Sequence, residues 1–79
     1  MKADDTIDTL GLLCPLPVLK ARKRLSALAP GQVLALVADD PAAQIDVPHF
    51  CNEQGHALEQ VTSNGSSWTF LIRKAAAKQ

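Results

Sequence analysis

The chain changes its hydrophobic period several times along its length, and each change marks an element. Thr6 to Leu10 alternates, with β-branched Ile7 and Thr9, and stops at Gly11; this predicts a first strand. From Pro15 or Pro17 to about Leu28 the spacing turns helical. Val18, Ala21, Leu25 and Leu28 fall on one stripe, and Lys20, Lys23 and Arg24 lie on the opposite side. Proline is at home in a first helical turn, where the amide hydrogen it lacks would have no partner, and Pro30-Gly31 ends the element. Gln32 to Ala38 is almost continuously apolar, as befits a strand inside a sheet, and Asp39-Asp40-Pro41 breaks it. A second helix is expected over Ile45 to Gln54. Asp46 would be its N-cap, Val47, Phe50 and Cys51 its inner face, and Gly55 its left-handed end.

Ala57 to Ser63 and Ser67 to Lys74 flank Asn64-Gly65-Ser66, and an Asn-Gly pair between two strand-like runs predicts a hairpin. Trp68, Phe70 and Ile72 share one face of its second strand and read as sheet packing, too few for a base-stacking platform. The order is β-α-β-α-β-β, and two helices cannot cover both faces of a sheet. The expected class is therefore α+β, a two-layer sandwich with two helices on one face of a four-stranded mixed sheet. At 79 residues a single domain is expected over residues 1–79, with an ordered core from about 6 to 74. Met1 to Asp5 reads as a frayed start and Ala75 to Gln79 as a tail.

Composition narrows the function. Eight Lys plus Arg balance eight Asp plus Glu, which gives no global field for a polyanion, so direct nucleic-acid binding is not expected. The longest apolar stretches, such as Val33 to Ala38, fall far short of the roughly 20 residues of a membrane span, and no basic-then-apolar segment opens the chain. A cytoplasmic protein with no membrane partner is expected. Two cysteines are too few for a disulfide framework, which points to a reducing compartment with free thiols. No metal site is expected, because His49 and Cys51, two apart on a helix, point about 200° away from each other. Asp39 and Asp40 read as a turn after a strand rather than as acid-base or magnesium-binding carboxylates.

The chemistry concentrates in Gly11-Leu12-Leu13-Cys14-Pro15-Leu16-Pro17, where one cysteine stands between a loop and the start of a basic helix. The positive end of the helix dipole favours a thiolate, so Cys14 is expected to titrate below the ordinary value of about 8.5. Pro15 and Pro17 fix the backbone and present the sulfur on a stiff arm, while deleting two amide donors. At most the Leu16 N–H remains for the thiolate, which predicts modest activation. Nothing ties His49 or His56 to Cys14, so no hydrolytic site is expected.

Leu10 to Pro17 resembles the Cys-Pro-X-Pro motif of the TusA (SirA-like) sulfur-carrier family. Ala38-Asp39-Asp40-Pro41-Ala42, then Asp46-Val47-Pro48, Phe50-Cys51, Gly55-His56 and Leu71-Ile72-Arg73-Lys74 are similar to the rest of that family's pattern, over about residues 6 to 74. The resemblance implies the β-α-β-α-β-β fold and a persulfide formed on Cys14 by a cysteine desulfurase. No bound cofactor is implied beyond that transient persulfide. A downstream relay or acceptor protein would take the sulfur toward 2-thiouridine in tRNA, molybdenum cofactor or other sulfur metabolism. The alternative is a regulatory or protein-binding module using the same surface. Cys51 matches a cysteine common in the family's second helix, but its inner-face position favours packing.

Around the motif the sequence is greasier than in tRNA-directed members, with Leu13, Leu16 and Ile45 where those tend to carry charge. Leu13, Leu16 and Leu19 form either an exposed docking patch about the sulfur or a fold against the helix-sheet edge. Lys20, Lys23 and Arg24 form either a basic docking face or the solvated side of a helix. Arg22 is expected to lay its stem along the core edge, and no role is read for it.

Overall fold

The structure, a computed structural model, describes residues 2–76. Its elements run β1 (Asp5–Asp8), α1 (Leu16–Ser26), β2 (Val33–Ala38), α2 (Ala43–Gln54), β3 (Ala57–Ser63) and β4 (Trp68–Arg73). The four strands form one mixed sheet in the order β1-β2-β4-β3, with β1 parallel to β2 and the other pairs antiparallel. The α+β class and two-layer arrangement are those expected from the sequence.

The alternation in β2 decides the layers. Leu34, Leu36 and Ala38 face the helices, and register places Leu34 opposite Ile72 and Leu36 opposite Phe70. Ala21 and Leu25 of α1 and Ala43, Val47, Phe50 and Cys51 of α2 close over them into one buried cluster, which Val18, Leu28 and Trp68 edge. The α1 stripe thus packs where its spacing put it, with Pro17 buried as well. On the other face Val33, Ala35 and Leu71 form a small second cluster under Ala3.

Several boundaries differ from expectation, each for a local reason. β1 begins at Asp5 because the segment before it is tied down: Asp4 N–H donates to the Val33 carbonyl at 2.8 Å and its carboxylate accepts Val33 N–H at 2.8 Å. The expected frayed start is therefore corrected from Ala3 onward. Ala75 likewise is held, its N–H donating to His56 Nδ1 at 2.9 Å, while the last three residues of the expected tail lie outside the described residues. Asp46 is not the N-cap of α2. The helix starts two residues earlier than expected, because Asp40 launches it by accepting the Ala42 N–H on its side chain and the Ala43 N–H on its carbonyl. Pro48 lies inside α2. Gly55, at φ +78°, closes α2 in the left-handed turn expected of it. In β3 an irregularity between Leu58 and Gln60 breaks the alternation at Glu59, whose carboxylate pairs with Arg73 Nε at 3.1 Å.

One topological fact positions the site. Parallel neighbours end at the same edge of a sheet, so the loop leaving β1 and the loop leaving β2 emerge side by side.

Candidate functional site

Thr9 anchors the loop that follows β1. It is fully buried, and its hydroxyl and its N–H both donate to the Val37 carbonyl, at 2.6 and 2.8 Å. The chain then turns through Gly11, whose φ of +81° is a region that residues with a Cβ rarely adopt. A Cβ there would meet nothing within 4 Å, so conformation rather than space requires glycine. Two carboxylates from the β2 loop hold this turn: Gly11 N–H donates to Asp39 Oδ1 at 2.9 Å, and Cys14 N–H donates to Asp40 Oδ2 at 2.6 Å. Asp39 and Asp40 do form the turn read from the sequence, but they also fasten the cysteine loop, which the sequence reading missed.

Cys14 stands exposed one residue before Pro15, the N-cap of α1, with Pro17 in the first helical turn; the Cys14–Pro15 peptide is cis. Its Sγ–H donates to Asp46 Oδ2 on α2 at 2.6 Å. The Leu16 N–H, the one first-turn donor expected to face the sulfur, instead donates to the Leu13 carbonyl at 2.9 Å. The expected activation of Cys14 is accordingly reversed. Its thiol is raised above its ordinary range, first by the hydrogen bond to Asp46, then by loss of water, then by the charges of Asp46 and Asp40. Two carboxylates nearby outweigh about half a charge from a helix end whose Leu16 N–H is already engaged.

Cys14, Leu19, Arg22, Asp46, His49 and Glu53 border a cleft of about 280 Å3 between α1 and α2. Arg22, for which no role was read, is exposed and lies on this cleft. His49 Nε2 lies 3.4 Å from Glu53. Among the described residues no group of His, Cys, Asp and Glu comes together in a way that could hold a metal ion.

The apolar residues expected near the sulfur do not fold against the helix-sheet edge. Leu13 is 69% exposed, Leu16 and Leu19 are exposed, and Ile45, beside Asp46, is 74% exposed. The basic row stays together. Lys20, Lys23 and Arg24 all border a second hollow with Ile7 and Ala27, and Arg24 Nη1 also clamps both carboxylate oxygens of Asp5 at 3.1 Å. Cys51 is buried in the core and its thiol is pushed up to about 11 by burial, in keeping with packing.

Fold and site together define a two-layer α+β protein that offers one accessible thiol at the mouth of its first helix. The family model for sulfurtransferase TusA matches residues 5–74, and the chain belongs to that family. A crystal structure of the SirA-like protein from Desulfitobacterium hafniense superposes with a TM-score of 0.79 at 26% identity, covering 90% of this chain and 97% of that one.

Proposed function

We propose that this chain is a sulfur carrier in which Cys14 accepts persulfide sulfur from a cysteine desulfurase and passes it to a thiol of an acceptor protein. The observation that carries the reading is the contrast between the cysteines: Cys14 is exposed within the Cys-Pro-X-Pro motif, while Cys51 is 2% exposed. Transfer is thiol exchange. The Cys14 sulfur attacks the terminal sulfur of the donor persulfide, and the acceptor thiolate later attacks the outer sulfur of Cys14-S-SH. A second thiol beside Cys14 would attack the inner sulfur and discharge the cargo as sulfide; burial of Cys51 keeps it out of that role. The carrier needs no bound cofactor for either step. The exposed leucines around Cys14 suit docking of a protein partner on both occasions. No helix among the described residues is long and apolar enough to cross a membrane.

The test is intact-mass spectrometry after incubation with a desulfurase and cysteine. Wild type should gain the mass of one sulfur, Cys51→Ser should gain it equally, and Cys14→Ser should gain none. A wild-type chain that takes up no sulfur on Cys14 overturns the reading in favour of a regulatory module. The destination of the sulfur is read separately, by comparing thiolated tRNA and molybdoenzyme activity in a strain lacking the carrier.

A further inference from the structure

The proton on Cys14 is held from across the cleft. The Sγ–H donates to Asp46 Oδ2 at 2.6 Å, and Asp46 belongs to α2, thirty-two residues further along the chain. This bond exists only while sulfur carries its proton, because a thiolate and a carboxylate at that separation repel each other. Nor does the carboxylate readily take the proton for itself: ordinary cysteine and aspartate differ by about four to five pH units, so that transfer runs uphill. A general base works best with a pKa near the operating pH, and an ordinary aspartate lies well below neutrality. The arrangement therefore restrains the sulfur rather than activating it. Asp40 adds a second negative charge from the adjoining loop and fixes the Cys14 amide at 2.6 Å. The other charged or titratable groups on the cleft are Arg22 from α1 and His49 and Glu53 from α2.

We infer that Asp46 is a restraining residue of the transfer site, which keeps the unloaded Cys14 protonated and turned toward α2 in the free chain. The inference rests on Cys14 being the residue that accepts sulfur. The overall step is Cys14-SH plus donor-S-SH giving Cys14-S-SH plus donor-SH. The Cys14–sulfur bond forms, the donor S–S bond breaks, its electron pair stays on the donor's inner sulfur, and the proton released by Cys14 ends there. Sulfane sulfur changes hands with no external oxidant or reductant. Asp46 decides when that proton can leave. In the free chain the thiol is then slow toward stray electrophiles, although it is exposed.

The experiment measures the iodoacetamide alkylation rate of Cys14 against pH in the full chain, for wild type, Asp46→Asn and Asp46→Ser. Both variants remove the carboxylate and differ in size, and circular dichroism checks that each is folded. Near neutral pH both should react about three- to tenfold faster than wild type, with the midpoint of the profile moved down. Rates equal to or slower than wild type in the folded variants overturn the inference. Desulfurase loading is run in parallel. Sulfur gain with an unshifted alkylation profile removes the restraint and leaves the carrier reading; no sulfur gain in any form removes the carrier reading and the inference with it.

Discussion

At the scale of single residues, three aspartates govern the cysteine loop: Asp39 holds the Gly11 amide, Asp40 the Cys14 amide, and Asp46 accepts the Cys14 thiol proton. Cys14, Gly11, Pro15 and Pro17 were legible in the sequence because residue type alone confines their backbone or reactivity. Asp39, Asp40 and Asp46 were not, since an aspartate after a strand or early in a helix has a sufficient local explanation as turn or cap. Their contacts with Gly11 and Cys14 cross from one loop to another and from α2 to the loop before α1. A signal was nevertheless present: the β-α-β order makes β1 and β2 candidates for parallel neighbours, whose following loops must meet. His56 is a second hidden contact. Its Nδ1 accepts the Ala75 N–H, which only a neutral ring can do, and lost hydration and then the Lys74 charge lower its pKa. The unfolded chain therefore binds the proton more readily than the native one. The contribution of His56 to stability is complete above about pH 6.5 and declines as pH falls through the lowered native value. Thermal midpoints of wild type should drop over that interval, and His56→Gln should flatten the drop; equal slopes in the two proteins would exclude the effect.

At the scale of elements, period carried further than boundary. The α1 stripe, the apolar β2 run and the Asn-Gly hairpin all appear where the pattern put them, because each depends on burial of many side chains at once. The start of α2 was misplaced because Ala42, Ala43 and Gln44 carry no period, and the deciding interaction is the Asp40 side chain. The last strand also does more than pair. Gly31 N–H donates to the Lys74 carbonyl at 3.0 Å and Lys74 Nζ donates to the Leu28 carbonyl at 2.7 Å, so the end of β4 clasps the turn after α1. Between helix and sheet the central contact is Leu25, 1% exposed. Leu25→Ala should cost about 2–5 kcal/mol, read as a fall in the urea midpoint at unchanged slope. A loss under about 1 kcal/mol would mean that α1 contributes little to the core.

For the whole molecule, the balanced charge spoke against polyanion binding, but only the fold shows how the surface is divided. The apolar side chains beside Cys14 face outward, and the cations of α1 are spent in part on Asp5. Docking through the leucines is expected to separate from folding. Leu13→Asp should leave stability within about 0.5 kcal/mol of wild type, yet slow sulfur uptake from the desulfurase about tenfold or more. Uptake at the wild-type rate would move the docking surface elsewhere.

The register of the hairpin brings a further part of the chain to this edge. Because Ala38 lies opposite Trp68, and Trp68 opposite Ser63, the tip at Asn64 to Ser67 projects from the same end of the sheet as the Asp39-Asp40 loop. Neighbouring strands are about 4.8 Å apart and β4 is the neighbour of β2, so a visitor seated on the cysteine loop that also reaches across β2 meets this tip. A fluorophore attached there would signal a visitor's arrival while leaving the reactive atom untouched, and lengthening the tip offers a way to choose among visitors without altering the chemistry.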